Sequence, residues 1–202
     1  MTTYPGIPAP HICDYLSRAA SRGRYAPGTT FQFGRIDLVA NTGTYLDSPF
    51  HRFEDGHDIS QLTLEELADL PALVVHAAGS RAIDTAALSG LEVRGRAVLV
   101  HTGWAQHWRT ERYGHGHPFL TAGAAAWLKD QGARLVGIDS LNIDDTGDGE
   151  RPVHTTLLGA EIPIVEHLRG LEQLPACGFT FSAVPPAVRG MGTFPVRAYA
   201  RV

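Results

Sequence analysis

"TAGAAAWLKDQGARLVGIDS", from Thr121 to Ser140, is the stretch that decides how this chain is built. Its first half predicts a helix: Thr121 stands at the cap, an alanine-rich run follows, and Gly132 lies near the end. Its second half, "RLVGIDS", is a continuous apolar run that reads as a buried strand ending in Asp139 and Ser140.

Working outward, the chain keeps to short elements. Upstream, "RAVLVHTGW" reads as a strand ending in a polar loop, and "DTAALSGLEV" as a short helix capped by Asp84. "ALVVHAAG" reads as a short buried strand. "TLEELADLP" predicts a helix that Thr63 caps, with Glu66 at capping-box spacing and Pro71 as the stop. Residues 28–40 are β-rich and run into a loop beginning at Asn41. Downstream, "LNIDDTGDGERPVH" (141–154) is dense in Asp and Gly and reads as a loop. "TTLLGAE" follows as a helical turn, then "IPIVEHL" and "FTFSAVPPAV" as strands before a closing "FPVRAYARV". The pattern is a β-rich single domain over residues 1–202 with a few short helices, α/β or α+β, and periodicity fixes no topology.

Composition narrows the partners. With 202 residues the chain can bury a proper core. The net charge is -4 and Lys129 is the only lysine, so neither nucleic acid nor an anionic membrane is expected as a partner. No run approaches the roughly 18 to 20 apolar residues that span a bilayer. The opening "MTTYPGIPAPHICDYL" lacks a basic region followed by an apolar core, so no secretion signal is expected. Cys13 and Cys177 have no CxxC spacing and are expected to be reduced thiols of a cytoplasmic protein.

Polar residues gather where apolar strands end: Asn41 to His51, His101 to Trp104, Asp139 to Ser140, and around His154. In α/β proteins such ends build sites. Asp47 and His51 stand four apart across a proline turn, with His154 and Glu166 far downstream. Carboxylates and imidazoles from separate segments make a ligand set for zinc or manganese. The alternative is a hydrogen-bonded Asp-xxx-His pair with a purely structural role.

"NTGTYLDSPFH", Asn41 to His51, resembles the His-x-Gly-Thr-His-x-Asp-x-Pro-x-His signature of the metal-dependent cyclase family, which includes bacterial kynurenine formamidase and isatin hydrolase. "VLVHTGWAQHW", "HPFLTAGAAAWL", "LVGIDSLNIDD", "HTTLLGAEIPIVEHLRGLEQLP" and "FPVRAYA" resemble further family blocks in the family's order. The resemblance implies a cyclase-type swivelling β/β/α fold with a β-rich core. It also implies a hydrolase of the arylformamidase type acting on a small carbonyl compound, and a homodimer or larger homo-oligomer. Family members open with a strand ahead of a segment like "MTTYPG". This chain begins inside that segment, so the expectation is a late recorded start or a missing edge strand.

The site departs from the family. The two signature histidines that help hold a first metal ion are Asn41 and Tyr45 here. The second ion's ligands are matched by Asp47, His154 and Glu166. An Asn carbonyl is a weak donor, and a tyrosine must lose a proton of pKa about 10 to bind well. One zinc or manganese ion is therefore expected, held by three ligands with a fourth position open, the layout of a catalytic zinc. By resemblance His51 is the general base. Tyr45 is a candidate donor to the substrate carbonyl, and Asn41 orients Tyr45 or binds water; both residues equally fit a filler role in space a metal has left. Trp104 and Phe53 are candidates to stack on an aromatic substrate, or else core residues. The rival functions are an altered or inactive ligand-binding member of the fold, and a metal-independent cyclase or dehydratase.

Overall fold

The computed structural model describes Tyr4 and residues 6–202, so most of the "MTTYPG" segment lies outside the described residues. The first strands among the described residues are β1 (His11–Leu16) and β2 (Phe33–Asp37), an antiparallel ribbon that pairs there with no other strand. Next come β3 (Tyr45–Asp47), helix α1 (Leu64–Leu67), β4 (Leu70–His76) and the two-residue β5 (Ala82–Ile83). The middle holds β6 (Ala97–His101), β7 (Phe119–Leu120), helix α2 (Ala122–Asp130) and β8 (Leu135–Ile138). Helix α3 (Pro152–Leu158), β9 (Ile164–Glu166), β10 (Cys177–Ser182), β11 (Thr193–Pro195) and β12 (Tyr199–Arg201) complete it.

Eight strands form one sheet in the order β11-β3-β9-β8-β6-β4-β10-β12. Its centre, β9-β8-β6-β4, is parallel, and the flanking pairs are antiparallel. Parallel strands covered on both faces are apolar throughout, which is why "RLVGIDS" shows no polar alternation. Side chains still alternate between two cores. Val98 and Val100 face the layer of Leu128 and Leu157 from α2 and α3, while Ala97 and Leu99 face Leu46, Phe179 and Phe181. Gly137 in β8 is a packing requirement: a Cβ there would lie 2.6 Å from the Leu168 side chain.

Local signals hold where hydrogen bonds back them. Thr121 accepts from Ala124 N at 3.2 Å and starts α2. At α1, Glu66 Oε2 accepts from Thr63 N at 2.8 Å. Several expectations change. Pro71 does not stop α1, which ends at Leu67; it sits inside β4, opposite Thr180 of β10. The helix expected after Asp84 is one 3-10 turn, Thr85–Ala87, although Asp84 does cap it through Thr85 N at 2.7 Å. The stretch from Asn41, read as a loop, contains β3 because β9 and β11 pair with it on both sides. His154, read as the end of a loop, lies in α3, whose first turn Pro152 begins.

Candidate metal and catalytic site

Three separate elements bring the acidic and imidazole groups together. Asp47 closes β3, Glu166 closes the neighbouring β9, and His154 sits on the first turn of α3; all three are buried. His154 Nε2 lies 3.7 Å from Asp47 Oδ2 and 3.7 Å from Glu166 Oε1. Asp47, His51 and His154 each offer a donor atom within 4.8 Å of the others, so His51 is a second candidate for the third ligand.

Asp47, His51 and His154 lie close enough to hold one divalent ion, and Glu166 Oε1 reaches the set through His154 Nε2. Donors around zinc, bonded at about 2.0–2.1 Å, stand about 3.4 Å apart, close to the spacings here. Among the described residues, Asp47 Oδ2 is the one buried side-chain polar atom with no hydrogen-bond partner. It is aimed at the nitrogen that would share the ion. Asp144 Oδ2 stands 2.6 Å from His154 Nδ1, the carboxylate–histidine arrangement that turns Nε2 toward a metal.

His51 sits in a turn, Pro49–His51, that Gly192 makes possible: a Cβ at Gly192 would overlap the His51 backbone. Thr193 Oγ1 donates to Asp47 Oδ1 and lies 2.9 Å from His51 Nδ1, so the ring donates from Nδ1 to that hydroxyl oxygen. This leaves His51 Nε2 with its lone pair. Burial holds the His51 pKa below its ordinary value; Asp47 opposes the shift, and His154 and Arg151 add to it. His51 is thus a neutral base at pH 7.

The carboxylates carry opposite perturbations. Burial penalises charge on Asp47, but His154, His51 and Thr193 outweigh it and keep its pKa low. Glu166 is buried beside Asp47 and, despite His154, is pushed up to about 7. Burial disfavours a proton on His154, yet Asp144, Asp47 and Glu166 together push its pKa up to about 9. Arg151 Nη2 lies 2.9 Å from His154 Nε2, and a guanidinium is a donor only. A second proton on the ring and the Arg151 contact therefore exclude each other, and the observed contact belongs to the neutral ring.

The space of the missing signature imidazoles is filled. The Tyr45 hydroxyl donates to Glu166 Oε2 at 2.6 Å, and His167 Nε2 lies 3.3 Å from the same hydroxyl. Tyr113 hydroxyl, 2.7 Å from His167 Nδ1, completes the chain: Tyr113 donates to His167, His167 to Tyr45, and Tyr45 to Glu166. Burial drives the His167 pKa down to about 3, so its ring is neutral. Burial also raises the Tyr45 pKa well above its ordinary value, which keeps the phenol protonated. The Tyr45 O–H is thus committed to Glu166.

A cavity of about 420 Å³ opens on this cluster, lined among others by Asn41, Tyr45, His51, Asn142, Arg151 and Glu166. Trp104 and Phe53 do not line it. Trp104 Nε1 donates to Tyr113 O at 3.0 Å, and Phe53 packs against the α2/α3 core. The polar strand ends also fail to converge on one place. Asp139 accepts from Thr102 N, Thr102 Oγ1 and Gly103 N, and it lines a different cavity with His101. Sequence reasoning missed Asp144, Arg151, Thr193, Tyr113 and His167. Of these only Asp144 left a trace, as part of the Asp-rich 141–154 stretch.

The chain and its fold match a known class. The cyclase family model matches residues 2–145, and the chain belongs to that family. The kynurenine formamidase of Geobacillus thermodenitrificans is 30% identical over 184 residues, covering 90% of this chain and 85% of that protein. A solved structure described as a potential metal-dependent hydrolase with cyclase activity is 26% identical, with TM-score 0.74 over 94% of this chain and 96% of that one. Isatin hydrolase A from Labrenzia aggregata shares the fold at TM-score 0.79 and 20% identity, over 98% of this chain and 84% of that one. The cyclase-type fold that the motifs implied is the fold the chain adopts.

Proposed function

We propose that this protein is a one-metal hydrolase of small amides, cyclic amides or esters, with aryl formamides as the leading substrate class. The observation that carries this reading is the orphaned Asp47 Oδ2 facing the Nε2 that Asp144 has turned toward it. Asp47, His154 and Glu166 are assigned as ligands, and zinc or manganese suits that set. When bound, the ion supplies a Lewis acid that polarises the carbonyl and acidifies water.

The chain's own groups do the rest. His51 Nε2 takes a proton from the attacking water as its oxygen bonds to the carbonyl carbon. The C–N bond then breaks, and His51 returns that proton to the leaving nitrogen. Thr193 orients His51 through Nδ1, and Tyr45 positions Glu166 through its hydroxyl. Asn41, on the cavity wall, is placed to hold a substrate polar group. We take the protein to work as one domain, as a homo-oligomer, and in the cytoplasm; two unpaired thiols, Cys13 and Cys177, support the last point.

Metal analysis with an activity assay on N-formylkynurenine tests the reading. About one zinc or manganese per chain is expected, with both metal and hydrolysis lost in Asp47→Ala and His154→Ala. Full hydrolysis by metal-depleted protein would instead favour a metal-independent mechanism using His51 and Tyr45.

A further inference from the structure

Arg151 is the residue that nothing above accounts for. Its Nη2 donates to His154 Nε2 at 2.9 Å, the same lone pair that points toward Asp47 Oδ2 and Glu166 Oε1. This is the one hydrogen bond the Arg151 side chain makes among the described residues, and it makes no ion pair with a carboxylate there. Its backbone is held at φ 48 and ψ 59, a left-handed conformation that a residue before proline avoids. Such strain persists only where the surroundings impose it. Asp144 imposes it by anchoring the following turn, accepting from Val153 N at 2.7 Å and His154 N at 3.1 Å.

On the metal reading above, we propose that Arg151 is the site's built-in rival to the metal ion. Its guanidinium occupies the Nε2 lone pair of His154 when no ion is bound and is displaced into the cavity when one arrives. A cation suits the pocket, because Asp47, Asp144 and Glu166 surround a single imidazole in a buried space. The guanidinium supplies one positive charge but leaves Asp47 Oδ2 without a partner. A divalent ion satisfies both atoms and so wins once its concentration is high enough. Arg151 thereby sets the metal concentration at which the site loads.

Titration calorimetry with Zn²⁺ and Mn²⁺, and the visible absorption of added Co²⁺, test this on the full chain. Arg151→Gln removes the rival charge. Arg151→Asn does the same with a residue that tolerates a left-handed backbone, which guards against misfolding. Arg151→Lys keeps the charge, and Asp47→Asn abolishes binding at this site in each background. The expected result is metal binding at least tenfold tighter in the Gln and Asn variants than in the wild type, with Lys nearer the wild type. Equal or weaker binding in folded Gln and Asn variants, while the wild type binds normally, overturns the role of Arg151 and leaves the metal reading intact. Binding by the Gln and Asn variants alone upholds the rivalry and sinks metal dependence in the native protein. Binding by none of them overturns both.

Discussion

On the proposed one-metal reading His51 and Glu166 are the alternative third ligands, and a substitution at His51 separates the two arrangements. If His51 is the base, His51→Gln keeps the ion and lowers kcat/KM by about 10²–10⁴-fold. Loss of the ion in that variant would make His51 a ligand instead. Because burial holds its pKa below the ordinary histidine value, the acid limb of kcat/KM should fall below about 6.5. His167 has a different signature. With its folded pKa lowered to about 3, the unfolded chain binds a proton that the folded chain refuses between pH 6.5 and 3. Stability is therefore lost as pH falls through that window, by about 1.4 kcal/mol per pH unit. Thermal melts from pH 7 to 4 should show a shallower loss in His167→Phe; parallel curves for the two proteins would refute it. The motif made Asp47, His51, His154 and Glu166 legible in the sequence. Thr193 and His167 were not, because their roles depend on contacts with residues 146 and 122 positions away.

Among the elements, α3 unites helix initiation with ligand orientation. Asp144 accepts from two backbone N–H groups at the start of α3 and also holds His154 Nδ1. An Asn at 144 offers one acceptor where three donors converge. Asp144→Asn should therefore weaken metal binding about 10–100-fold, read by competition with a chelating dye, and lower Tm in the metal-free protein. Unchanged affinity would show that His154 needs no such support. This element also shows the limits of local reading. The Asp- and Gly-rich composition indicated irregular backbone, which holds up to Arg151, but it could not reveal that Asp144 accepts from the first N–H groups of a helix starting at Pro152. β3 was hidden for a related reason: three residues form a strand only because partners on both sides complete it.

For the molecule as a whole, the ribbon of β1 and β2 stands apart from the eight-stranded sheet. It exposes Ile12, Tyr15, Phe33 and Ile36, with Tyr15 78% and Ile12 61% accessible. Ile12 and Ile36 pair directly across the ribbon, and exposed apolar surface of this kind marks an interaction face. Sedimentation should find a homodimer or larger assembly, and Ile12→Asp with Ile36→Asp should shift it toward monomer. A wild-type monomer at micromolar concentration would remove the ribbon as the contact. The α/β class and most element positions followed from apolar runs and caps, whereas strand order did not, because β3 and β11 enter the sheet from opposite ends of the sequence.

The position of β11 also bears on synthesis. Thr193 completes the hydrogen bonding of Asp47 from 146 residues further along. At ribosomal rates of about 5–20 residues per second, Asp47 waits roughly 7–30 s for that partner to be made. The nascent chain thus carries Asp47 without its Thr193 partner until residue 193 has been made.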